Sequence, residues 1–119
     1  MKKITYSVIF LFAVLLPACQ PGTSTQEIRK ELLQTDQQFS KRSKEVGNHQ
    51  AFLEYAAPEA VLLKQNHLPI VGKREIREHF DSQSDTAYVL TWEPSFAKSA
   101  ESGDLGYTYG VYTLRSKKE

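Results

Sequence analysis

From Ser24 onward the apolar residues recur at helical spacing. Ile28, Leu32, Thr35 and Phe39 lie at steps of four, three and four, which predicts a helix carrying one apolar stripe to about Val46 and stopping at Gly47. Ser24 and Glu27 have the spacing of a capping box, so the helix starts there. Asn48 is placed to cap a second, shorter helix through Ala51, Phe52 and Tyr55, which Pro58 ends. Ala60 to Lys64 then reads as a short strand, Gln65-Asn66-His67 as a turn, and Leu68 to Val71 as a second short strand. Gly72 leads into a third helix, Lys73 to Phe80, with Ile76 and Phe80 on its inner face.

After the polar stretch Asp81 to Asp85 the pattern changes from helical to alternating. Tyr88, Leu90 and Trp92 point one way along a first long strand; Leu105, Tyr107, Tyr109 and Val111 alternate along its partner, and Glu101 to Asp104 makes the reversal. Pro94 lies inside the first strand, where it donates no ladder hydrogen bond, so an edge position or a bulge is expected there. The order of elements predicts an α+β domain with an antiparallel sheet. No internal repeat or low-complexity tract interrupts it.

The first residues follow a different rule. Lys2 and Lys3 precede an apolar run, Ile4 to Leu16, which as a helix would span roughly 20 Å against a hydrocarbon core of about 30 Å. That is the layout of a signal peptide rather than a membrane span. The run ends in Leu16-Pro17-Ala18-Cys19, and Cys19 is the chain's sole cysteine. Leu16, Ala18 and Cys19 resemble the lipobox of bacterial lipoproteins, in which the cysteine receives a lipid thioether before cleavage; Pro17 departs from its commonest pattern. A catalytic thiol needs a base and a shaped pocket, whereas Cys19 is followed by the flexible Gln20 to Ser24. The expectation is a signal peptide over residues 1–18, a lipidated cysteine and tether over 19–25, and a domain over 26–119. Such a protein is anchored in a lipid bilayer through Cys19 by acyl chains such as palmitate and faces out of the cytoplasm within the cell envelope. Two or more chains hold a protein stably where one does not.

Composition narrows the function classes. A chain of 119 residues with 40% apolar and 11% aromatic content has room for one globular domain. Fifteen basic residues face fourteen acidic ones, and without Lys2 and Lys3 the balance is about neutral, so nucleic acid is not expected as a partner. His49, His67 and His79 show no metal-ligand spacing, and no metal or cofactor is expected. Gly72-Lys73 lacks the rest of a phosphate loop, and no GxSxG or GxGxxG motif occurs.

Several local stretches are more specific than the element order. Asp36-x-x-Phe39-Ser40, AFLEYAAPEAVLL, PIVGKREIREHF and LTWEPSFAKSAESGDLGYTYGVYTL, above all Trp92-Glu93-Pro94 and Ser102 to Thr108, together resemble the nuclear-transport-factor-two-like superfamily. The likeness is to its bacterial branch described as a domain of unknown function, related to polyketide-cyclase-like and ketosteroid-isomerase-like proteins, and it covers roughly Glu27 to Leu114. It implies a cone-like curved antiparallel sheet wrapped around the long N-terminal helix. Members of that superfamily continue with another pair of strands, so the resemblance implies a domain whose last two strands are missing here.

The resemblance also implies a cavity between sheet and helix for a small apolar or amphipathic ligand. Phe39, Tyr55, Tyr88, Trp92, Tyr107 and Tyr109 are the aromatic residues expected near it; all six could equally fill the core. Tyr107 and Tyr109 rank first, because a buried phenol needs a polar partner. Isomerase-type catalysis needs a buried carboxylate base and an oxyanion donor, and Asp36 is the acidic residue placed for it, although a helical aspartate beside a core stripe often simply bonds a neighbouring group. Three roles follow as expectations: a membrane-anchored ligand-binding module, an isomerase or dehydratase acting on a small carbonyl compound, or a homodimeric interaction module.

Overall fold

The computed structural model describes residues 24–117; the leader, Cys19 and most of the tether lie outside them. The fold is α+β, a long helix followed by two small antiparallel sheets that do not close into a barrel. Helix α1 spans Thr25–Val46, α2 Asn48–Tyr55 and α3 Lys73–Asp81; the strands are β1 Val61–Leu62, β2 Ile70–Val71, β3 Tyr88–Ser99 and β4 Gly106–Ser116. Among the described residues no helix is long and apolar enough to cross a membrane.

The start of α1 is the expected capping box: Ser24 Oγ accepts from Glu27 N at 3.2 Å, and Glu27 Oε2 accepts from Ser24 N at 2.9 Å. The cap of α2 differs from expectation. Asn48 is already helical, Gly47 holds the capping position at φ 94° with no side chain to offer, and the free amide of His49 donates instead to Asp85 Oδ2 at 3.1 Å. A carboxylate brought from the far side of α3 therefore does what the local residue was expected to do. Gly47 permits this twice, through its positive φ and because a Cβ there would lie 2.8 Å from Asp85 Oδ2.

A small apolar core forms where α2, α3 and the β1–β2 hairpin meet. Leu53, Ile70, Ile76 and Phe80 are buried in it, and Phe52, Ala60 and Leu62 pack against them. Each such side chain contributes about 1.5–3 kcal/mol by leaving water. The second packing layer is α1 against β3 and β4, and polar groups run through it. Ser43 Oγ donates to Leu90 O at 2.7 Å, Ser40 Oγ accepts from Trp92 N at 2.7 Å, and Arg29 Nε donates to Ala97 O at 2.9 Å. Alternate residues of an antiparallel strand turn their backbone groups to one side. The groups taken up by α1 are thus those on the edge of β3 that faces away from β4.

Pro94 fits this geometry on both counts. It shares the parity of Leu90 and Trp92, so its missing N–H falls on the helix-covered edge rather than in the ladder with β4. The register also slips between Pro94 and Phe96, the position of a bulge. Opposite it, Gly110 approaches so closely that a Cβ would collide with the Glu93 carbonyl oxygen and lie 2.7 Å from Pro94 Cα. Beyond the turn, where Ala100 N donates to Leu105 O at 2.8 Å, β4 begins at Gly106, so Leu105 precedes the strand.

Two stability outcomes are expected. Gly110→Val forces the bulge apart and should cost about 1–3 kcal/mol in urea unfolding, the range for overpacking. Ser43→Ala leaves the Leu90 carbonyl buried without its donor and should cost about 1–3 kcal/mol. Midpoints indistinguishable from the parent would contradict both contacts.

Candidate functional site

Asp36 stands one helical turn before Phe39 and Ser40 on α1, on the side turned to the sheet. Its two carboxylate oxygens are held separately. Oδ1 accepts from the Trp92 indole Nε1 at 2.6 Å, and Oδ2 accepts from Thr108 Oγ1 at 2.6 Å. One half-buried side chain thereby ties the helix to both long strands. Hydrogen bonds to a charged group are the stronger kind, and these two share one acceptor.

Around this carboxylate lies an open groove of about 290 Å³. Leu32, Thr35, Asp36 and Phe39 of α1 form one wall, Tyr55 and Ala56 at the end of α2 another, and Gly106 to Thr108 of β4 the third. Phe39 is its aromatic centre: its ring stacks on Tyr55 with centroids 4.7 Å apart and meets Trp92 edge-on, also at 4.7 Å. Tyr55 is positioned by its neighbour. Arg42 forks onto Glu54 through Nε at 2.6 Å and Nη2 at 3.0 Å, and these bonds together with one from Gln50 hold the Glu54 carboxyl down to about 2. The fork braces α2 against α1 and with it the Tyr55 wall. Gly106 is needed for closeness, since a Cβ there would sit 2.6 Å from Leu32 Cδ1.

No family model, no curated protein and no solved structure matches this chain. The site therefore stands on its own geometry.

Of the six aromatic residues expected near a cavity, the structure brings three together: Phe39 and Tyr55 line the groove, and Trp92 stands behind it, gripping Asp36 and bracing Phe39. Tyr107 borders the groove on β4 between Gly106 and Thr108, and its side chain alternates to the other sheet face. Tyr88 lies at the far end of β3, opposite Ser116 and 54% exposed. Tyr109 stacks on Phe96 at 5.1 Å, on the sheet face opposite that of Trp92, because Trp92 pairs with Tyr112 and Tyr109 lies three residues from Tyr112 along β4. Tyr107 shares the face of Tyr109, and the bulge at Pro94 sets Phe96 opposite Tyr109. The phenols of Tyr107 and Tyr109 are not buried: the residues are 55% and 59% exposed.

Sequence reasoning missed Thr108, the second donor to Asp36, and the roles of Ser40 and Ser43. A signal for them existed. Arg29, Leu33, Asp36, Ser40 and Ser43 recur at steps of four and three, a second stripe one residue behind the apolar one. Ser40 and Ser43 are only 6% and 2% exposed, a burial that polar helix residues reach when they have partners to satisfy.

Other hollows carry less chemistry. One of about 350 Å³ lies on the other side of the Phe39 and Trp92 pair, backed by Phe52, Phe80 and Leu90. Another, of about 300 Å³, is lined by Lys44, Val89, Thr91, Thr113 and Arg115 and holds neither an aromatic ring nor a carboxylate. His67 and His79 approach with ring centroids 5.5 Å apart, Lys64 Nζ lies 3.0 Å from His79 Nε2, and His49 stacks on Phe80 at 4.1 Å. Among the described residues, no three His, Cys, Asp or Glu side chains converge to hold a metal ion.

The carboxylate clamp can be tested directly. Trp92→Phe keeps a ring against Phe39 but removes the indole donor, and should cost about 1.5–3 kcal/mol, as for a hydrogen bond to a charged acceptor. In a double-mutant cycle with Asp36→Asn, a coupling of about 1 kcal/mol or more is expected; additive effects would show that the bond carries no energy.

Proposed function

We propose that this protein is a membrane-anchored, extracytoplasmic binding module whose groove between α1, α2 and β4 holds a small apolar or amphipathic molecule. The observation that carries the reading is the convergence of Phe39 and Tyr55 on an open groove beside a fixed carboxylate. Ligand sites are mostly apolar with a few placed polar groups, and a volume of about 290 Å³ suits a small ligand. The anchoring rests on the sequence around Cys19 and on the short tether behind it. The element order, with β3 bent at Pro94 beside a long helix, favours a nuclear-transport-factor-two-like cone as the framework.

An isomerase or dehydratase has less support. Asp36 would be its base, but the nearby donors, Trp92 and Thr108, are spent on the carboxylate itself rather than aimed at a substrate oxygen.

A homodimeric interaction module is the second reading, and β4 favours it. Tyr107, Tyr109, Val111, Tyr112 and Leu114 are all 55–71% exposed on this strand, and among the described residues no further strand pairs with its outer edge. Long apolar edges of this kind promote pairing between chains.

Two measurements separate the readings. In isothermal titration, small apolar alcohols should bind the full chain and Tyr55→Ala should weaken them by about tenfold, roughly 1.4 kcal/mol; no binding across such a series would remove the first reading. In sedimentation velocity, a dimer that Tyr112→Lys converts to monomer supports the second, and a monomer at all concentrations excludes it.

A further inference from the structure

The groove is unusual in its charge. Asp36 is half-buried at its wall, yet both of its hydrogen-bond partners, the Trp92 indole and the Thr108 hydroxyl, are neutral. The ion pairs among the described residues join Arg42 to Glu45 and Glu54, and Arg74 to Glu75; none involves Asp36. No Lys or Arg stands among the described residues that line the groove. A carboxylate drawn partly out of water without a cation is costly, and the cost falls when a positive charge arrives.

The remaining lining favours the same kind of arrival. Phe39 lies one turn beyond Asp36 on α1, its ring stacked on Tyr55, and the strand segment Gly106 to Thr108 closes the β4 side. Aromatic rings present a negative face, and ammonium groups are attracted to it within about 6 Å. Leu32 and Ala56 add apolar surface for a short hydrocarbon body. Each carboxylate oxygen has accepted one bond and keeps capacity for another.

We propose that the ligand of this groove is a small amine, primary or quaternary, whose cationic head sits between Asp36 and the Phe39 and Tyr55 rings and whose alkyl part runs along Leu32 and Ala56. The inference deepens the binding-module reading and rests on it. It excludes carboxylates of the same size, which would meet Asp36 as like charges, and it ranks neutral alcohols below amines. The preference is electrostatic, so it weakens as salt rises.

The test uses the full chain and three ligands of equal length: hexyltrimethylammonium, 1-hexanol and hexanoate, compared by isothermal titration. Hexyltrimethylammonium should bind about tenfold or more tightly than 1-hexanol, and hexanoate should not bind. Asp36→Asn should remove the preference, bringing the hexyltrimethylammonium and 1-hexanol affinities within about twofold of each other. Because Asp36 also ties the helix to the sheet, Tyr55→Leu is the second variant: it keeps an apolar wall and should lower the ratio of ammonium to 1-hexanol affinity at least threefold. Equal affinity for ammonium and alcohol overturns the amine assignment and leaves an apolar binding groove standing. Failure of all three ligands to bind overturns both.

Discussion

The long helix satisfies the free edge of β3 with side chains, and the rest of the fold is arranged around that contact. An exposed strand edge offers a row of unpaired amides and carbonyls, and burying such groups without partners costs about as much as the lost hydrogen bonds. Here Arg29, Ser40 and Ser43 take up backbone groups of Ala97, Trp92 and Leu90, while Asp36 reaches the Trp92 side chain and Thr108 on the next strand. These bonds set how far along the strand the helix lies. They also explain how a proline is tolerated in mid-strand, since Pro94 turns its missing donor to the same edge.

The groove is a by-product of that arrangement. With α1 held to β3, Phe39 comes against Trp92, and the Arg42 to Glu54 fork sets α2 so that Tyr55 stacks on Phe39 from the other side. Gly106 lets β4 close on Leu32 near Asp36. A groove whose walls come from a helix, a helix end and a strand is held by those contacts, and its carboxylate is aimed by two donors. Preorganisation of this kind favours binding because little ordering remains to be done.

The opposite side of the sheet behaves differently. Along β4 every residue except Thr108 is exposed, on both faces, while on β3 the residues from Val89 to Trp92, together with Pro94, Ala97 and Ser99, are at least half-covered. The contrast follows from the placement of α1 beside β3. Two strands form one ladder, yet one is covered by the helix and the other presents tyrosine, valine and leucine side chains to water.

Local rules were sufficient for the elements. Capping at Ser24 and Glu27, the stop at Gly47, the third helix after Gly72 and the alternation around Trp92 all depend on neighbours within one or two turns of chain, so their positions could be read from residue order. The aromatic and acidic candidates were likewise visible as residue types. Tertiary structure decided which of them meet. The cap of α2 came from Asp85, 36 positions away from His49, and the donors to Asp36 came from 56 and 72 positions along the chain. Strand pairing put Trp92 and Thr108 on the face turned to the helix and Tyr107 and Tyr109 on the other, and the bulge at Pro94 set Phe96 opposite Tyr109. Periodicity fixes which residues of an element share a face, but the register between elements comes from contacts distant in sequence, and on that register depended which carboxylate, which rings and which strand would make a site.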